Sequence, residues 1–271
     1  MIKLLKAGLF RVKKDNILYI FIILTCFIAI FTIAKNIPNR EIQFDKLVNT
    51  YIMYIGLLIA IFISIFVGKE YSQGIIRNKI IVGHNRKSIY LVNLIISIIV
   101  SIFCEMIYFL LIFIVGNILH AKMELSLSQY LMSILNTCLV IISFCSIYNF
   151  ISMICKDITV STVLCIILFI LMFIGENAVG LTAFSRRYIE HSMFDENGNK
   201  YVISQEINPN YPGDQKVKIA KIIYLLIPQG QAMEIANNDF ELMKQMPIYS
   251  IILIIFINIF GIFIFSKKEL K

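Results

Sequence analysis

The sequence predicts an all-α polytopic membrane protein with six transmembrane helices. Three observations carry that expectation: 59% of the 271 residues are hydrophobic, only 15% are charged, and the apolar residues gather in long uncharged runs. A soluble fold of this size has no interior large enough to hide so much apolar surface, so the chain takes lipid as its solvent. The same composition, with a mean hydropathy of +0.82, excludes a disordered chain, a collagen-like fibre and a disulfide-stapled secreted domain.

A helix needs roughly 20 apolar residues to cross a hydrocarbon core of about 30 Å. Six runs approach or exceed that length: 17–34, 47–68, 89–119, 125–155, 158–175 and 248–265. The third is broken only by Glu105, the fourth carries no charge, and the polar residues 120–124 separate the two. Barrel strands would be shorter and would alternate apolar with polar, whereas these runs are apolar on every face. Their many isoleucines favour strands in water, but in lipid each segment must satisfy its own backbone, which overrides that preference. The first run is longer than a signal-peptide core and no small-x-small site follows it, so it reads as an anchor.

Basic residues set the expected orientation. With a cytoplasmic N-terminus, segments 1–16, 69–88, 156–157 and 266–271 lie inside and hold 14 Lys and Arg against four acids; the outer segments hold 11 against 12. Both termini are therefore expected in the cytoplasm. Basic flanks beside anionic headgroups account for the net charge of +8 with no nucleic acid involved. All six cysteines fall in or at the ends of apolar runs, so the outer loops offer neither a disulfide nor a zinc site.

Between the spans, residues 1–16 place Ile2, Leu5, Leu9 and Val12 at helical spacing opposite Lys3, Lys6 and Lys13, the pattern of a helix lying in the interface plane. The link between spans two and three predicts a short basic helix over 71–82, with Ile76 and Ile80 on one face and Gly83 as its stop. Asn85 and Ser88 are candidate caps for the next span. Such an elbow suits a cytoplasmic partner, although a solvated positive-inside loop would look alike. Residues 176–247 form the one large segment outside lipid, an outer cap. There Asp195-Glu196-Asn197-Gly198 predicts a hairpin turn within 193–203, and an apolar helix too short to span ends at Pro228.

Motifs for chemistry on this chain are missing. No Gly-x-Ser-x-Gly, His-Glu-x-x-His or paired-carboxylate motif occurs, His84, His120 and His191 fall in different loops, and there is no phosphate-binding loop. The chain is expected not to be an enzyme, and any ATP it uses must be held by another subunit. Glu105 is the one ionisable residue near the middle of a span. It is either a contact for a proton, cation or substrate, or a neutral acid hydrogen-bonded to an amide such as Asn136 or Asn149; the second is the simpler expectation because proton relays use several such groups.

The string Glu70-Tyr71-Ser72-Gln73-Gly74-Ile75-Ile76-Arg77-Asn78-Lys79, followed by Gly83-His84-Asn85-Arg86-Lys87-Ser88-Ile89-Tyr90, resembles the E-[YF]-x-x-G-[TI]-[IL]-[RK] … [ST]-R-x-x-[IV] pattern of type 2 ABC transporter permeases. It departs from that pattern at Asn85, where Ser or Thr is usual. The N-terminal helix, the segment Ile227-Pro228-Gln229-Gly230-Gln231-Ala232 and the ending over 261–270 are similar to the same family, so the layout agrees along the whole chain. The resemblance implies a half-transporter in a bacterial plasma membrane, paired with a second permease chain and with ATP-binding subunits that carry the ATP and Mg. It further implies that Glu70, Tyr71, Gly74, Ile76, Arg77, Lys79, Ile80, Gly83 and Arg86 form a coupling helix docked on the ATPase. A largely apolar path lined by spans one, two and five would export an amphipathic peptide or lipid-like compound, in some members an antimicrobial peptide, for immunity. The competing expectation is a non-transporting sensor or immunity protein that binds such a peptide through the outer cap.

Overall fold

The computed structural model describes residues 1–36, 43–194 and 200–268, which form twelve helices and one two-stranded hairpin. Six helical segments are long and apolar enough to cross a membrane. They begin with α2 (Asn16–Asn36) and the pair α3 (Phe44–Thr50) and α4 (Ile52–Ser72). Four single helices follow: α6 (Arg86–Ile118), α7 (Leu127–Ile154), α8 (Ile158–Ala183) and α12 (Met246–Lys267). Between them lie α1 (Ile2–Lys14), α5 (Ile75–Ile81), the strands β1 (Tyr188–Phe194) and β2 (Lys200–Ile207), and the short helices α9 (Asp214–Leu226), α10 (Pro228–Asn237) and α11 (Phe240–Met243).

Polar caps start several spans. Asn85 Oδ1 accepts from Lys87 N–H at the head of α6, Asp157 Oδ1 accepts from Thr159 and Val160 N–H at the head of α8, and Ser126 with Gln129 closes a capping box on α7. The second span is not one helix but two. It breaks at Tyr51, where the hydroxyl of Tyr108 donates to the Leu47 carbonyl at 2.6 Å and the two tyrosine rings stack at 4.5 Å. A side chain that captures a carbonyl of the helical ladder is a sufficient cause for a kink.

The α4 segment is the central column, packed against α7 and α8, while α2 and α12 lie at the perimeter with exposed apolar faces. The expectation of helices apolar all round fails for α7. Ser133, Asn136, Ser143, Ser146, Asn149 and Ser152 are buried on it, and Ser146 accepts from Asn258 of α12 at 2.8 Å. Lipid drives no apolar association between helices, so small and polar residues turn inward, where close approach and hydrogen bonds hold the bundle.

Three expected boundaries shift. Helix α8 continues to Ala183, eight residues beyond the apolar run, because Glu176 and Asn177 sit inside its last turns. The hairpin pairs Tyr188 with Ile207 through to Phe194 with Lys200, longer than expected, and the turn at 195–199 lies outside the described residues. On α1 the buried positions are Leu4, Gly8 and Val12 rather than a stripe beginning at Ile2, which is exposed. Gly8 faces Ile96 and Val92 of α6, where an added Cβ would displace the tip of the Ile96 side chain.

Candidate functional site

The sequence-selected residues gather at the end of the bundle where α1, α5 and α12 each pack on α6. Glu70, in the last turn of α4, is fully buried. Its Oε1 accepts from Arg11 Nη1 of α1 and from Lys79 Nζ of α5, both at 2.6 Å, and its Oε2 accepts from Asn93 Nδ2 of α6 at 2.7 Å. A buried carboxylate is tolerated when cations and hydrogen bonds occupy both oxygens, and here the donors arrive from three different helices. Arg11 also donates to the Phe66 carbonyl at 2.9 Å and lies over the Phe66 ring at 4.4 Å. Beside it, Lys69 pairs with Asp15 at 2.7 Å. Burial raises the Asp15 pKa, but the Lys69 hydrogen bond, the Ile17 N–H and the charges of Lys69 and Arg11 outweigh it and hold the carboxyl below its usual range.

The expected helix over 71–82 is divided. Tyr71 and Ser72 finish α4, Gly74 turns the chain with φ +67°, and α5 occupies only Ile75–Ile81. Gly83, with φ +90°, ends it as expected, while His84 N–H bonds the Lys79 carbonyl in a helix-closing loop. Ile76 is buried beneath the helix and Ile80 is packed partly against the core.

A second set of bonds ties the spans behind the elbow. The Tyr71 hydroxyl donates to the Met153 carbonyl, and Lys268 Nζ donates to the carbonyls of Ile154 (2.6 Å) and Met153 (3.1 Å), capping the C-terminus of α7. Burial, reinforced by the nearby charge of Lys156, pushes the Lys268 amine down to about 8. Arg86 donates to the Ser266 carbonyl at 3.2 Å and to that of Lys268, so the head of α6 caps the end of α12. One turn further on, the two helices cross where Gly261 leaves room for Tyr90; a Cβ would lie 2.3 Å from its hydroxyl.

Of the nine sequence-selected residues, Glu70, Tyr71, Ile76, Lys79 and Arg86 thus brace the elbow from within. Its outward surface is made by Arg77 and Asn78 with Ile81 and Val82, whose side chains are 71% and 75% exposed. Asn78, Ile81 and Val82 escape a reading that sorts the link by charge, as do Arg11 and Asn93. A signal for the aliphatic pair does exist. Residues 75–82 hold five aliphatic side chains, more than one face of a two-turn helix accommodates, so some must face outward.

Glu105 does not meet the amides expected of it. Asn136 Nδ2 donates to the carbonyls of Met132 and Met243, and Glu105 Oε2 is buried without a hydrogen-bond partner beside a cavity between α6 and α7. At the opposite end of the bundle, the segment 227–232 is the break between α9 and α10. Pro228 opens α10, Gln231 donates to the Leu225 carbonyl and accepts from Ser250 Oγ at 2.6 Å, and Gln229 donates to the Met53 carbonyl at 3.3 Å. Near it Tyr224 donates to Glu234 at 2.7 Å. Burial, aided by the Asp239 charge, raises the Glu234 carboxyl above its usual value against the Tyr224 bond that lowers it.

A scan against protein-family models finds no match to the chain, and a search of curated proteins finds none either.

Proposed function

We propose that this chain is the membrane-spanning permease subunit of an ATP-binding cassette transporter, driven by ATP hydrolysed on a separate cytoplasmic subunit. The observation that carries the reading is the braced elbow. A short helix between two spans is locked through Glu70 to α1, α4 and α6 at once, yet presents Arg77, Asn78, Ile81 and Val82 outward. Force delivered by a separate chain reaches the spans only through a stiff element, and exposed aliphatic residues beside a cation are what a protein partner would cover. The resemblance of residues 70–90 to type 2 permeases supports the same assignment. In it, α1 lies at the cytoplasmic interface, both termini are cytoplasmic in a bacterial plasma membrane, the hairpin and α9 to α11 form the outer cap, and a second permease chain completes the assembly. The chain itself holds neither ATP nor Mg and has no enzymatic activity. The cargo class is an amphipathic peptide or lipid-like compound, exported through a largely apolar path.

The test is co-purification with an ATP-binding protein from the native membrane. Arg77→Glu combined with Ile81→Asp and Val82→Asp should abolish capture, while leaving membrane insertion and thermal stability intact, because none of the three braces the elbow. Capture undiminished in that variant, or transport that continues without nucleotide hydrolysis, removes the reading. The second reading, a non-transporting sensor or immunity protein, draws on the open cavity of about 720 Å3 at the hairpin end, bordered by Glu234, Asp239 and Glu241. It requires that Glu234→Gln combined with Asp239→Asn and Glu241→Gln abolish peptide binding while an ATPase partner proves irrelevant.

A further inference from the structure

Glu105 stands 19 residues into α6, about 28 Å along the axis from Arg86 and about 20 Å from Ile118, and so at hydrocarbon depth. No Lys, Arg or His occurs in α6 beyond Lys87 or anywhere in α7, and the Glu105 carboxyl makes no ion pair among the described residues. Its buried Oε2 lacks any hydrogen-bond partner. The carboxyl borders a cavity of about 340 Å3, walled by Ile102, Met106, Phe109 and Leu110 of α6 and by Ile134, Thr137 and Cys138 of α7. Met106, Leu110 and Ile134 are 60%, 56% and 56% exposed, so the cavity opens sideways from the bundle toward lipid.

An acid at this depth is costly when left alone, and among the described residues none pairs with its charge or donates to its buried Oε2. Apart from Thr137 and Cys138, the walls of the space around it are hydrocarbon side chains. A group that satisfies both demands has one positive charge on an apolar body, with the charge on the carboxylate, the body against the aliphatic walls and the Phe109 ring at hand. We propose that the cleft between α6 and α7 is a binding site for a small lipophilic cation, entering from the hydrocarbon phase and held by Glu105. The assignment goes beyond the permease reading and does not depend on it, since binding there needs neither nucleotide nor partner.

The full chain in zwitterionic lipid nanodiscs, titrated with radiolabelled tetraphenylphosphonium, tests the site. Tetraphenylborate, of the same shape and opposite charge, reports what apolar volume alone contributes. Saturable binding of the cation and none of the anion is expected, with affinity falling at least tenfold in Glu105→Gln. Melting of that variant should be unchanged or higher, since the substitution removes an unpartnered acid. Ile134→Trp keeps the carboxyl and fills the cavity, and should lower affinity by a similar factor, which serves even if Glu105→Gln fails to fold. Equal affinity for both ions, no saturable binding to the unaltered chain, or cation affinity unchanged in either variant overturns the proposal.

Discussion

Glu70 shows how one side chain can decide a surface it never reaches. Its carboxylate is the common acceptor for α1, α5 and α6. Removing one member of a buried charge cluster leaves the others desolvated without compensation. Glu70→Gln is expected to cost about 3 kcal/mol of unfolding free energy, read by thermal or denaturant unfolding in detergent. Combining it with Lys79→Met should recover part of the loss, because one orphaned cation is then gone. Lys268 makes a pH-dependent contribution. Its folded value of about 8 lies below the ordinary 10.5, so the unfolded chain keeps its proton to higher pH and stability rises with pH between the two values. That contribution is complete above the ordinary value and is lost as pH falls through about 8. Melting curves of the native chain and of Lys268→Met should therefore diverge between pH 8 and 10 and run parallel below pH 7. Neither role is legible in the sequence. Glu70 sits among basic residues and reads as a surface acid, and its partners stand 59, 9 and 23 positions away. Glu105, by contrast, is conspicuous in sequence, but its lack of a partner emerges only once Asn136 is seen bonded to Met132 and Met243.

At the level of elements, the contacts that organise the fold are made where side chains are missing. In α10, a Cβ on Gly230 would stand 2.6 Å from the Tyr224 carbonyl, a backbone atom that cannot turn aside. Gly230→Ala should cost about 1–3 kcal/mol through overpacking. Gly175, inside α8, has its nearest neighbour at 3.9 Å, so Gly175→Ala should stabilise by about 0.5–1 kcal/mol through helix propensity alone. Comparing the two melting temperatures under one condition separates close approach from propensity. Hydropathy finds the spans because it sums over many residues. It misses the break at Tyr51, the rotation of α1 and the inward polar stripe of α7, since each depends on what a neighbouring helix presents. The division of the elbow at Gly74 had a local cue in the glycine itself, which the apolar spacing on either side obscured.

On the scale of the molecule, the exposed apolar faces of α2, α8 and α12 form a belt that water would not tolerate, so the chain should stay in membranes washed with carbonate and leave only with detergent. The charge imbalance around the spans predicts an orientation with both termini in the cytoplasm. In a background without its native cysteines, a cysteine placed at Asn78 should react with an impermeant thiol reagent only after cells are opened, and one at Asn208 in intact cells. The reverse pattern would invert the topology and count against the proposed docking of the elbow on a cytoplasmic ATPase. What the sequence determined by itself was the number and approximate place of the helices long and apolar enough to cross a membrane. Burying unsatisfied backbone or charge in hydrocarbon is so costly that a run of apolar residues has one outcome whatever surrounds it. Which polar groups meet was decided by the tertiary structure alone. A bond between Arg11, Glu70, Lys79 and Asn93 depends on how α1, α4, α5 and α6 lean together, and no local stretch of chain carries that angle.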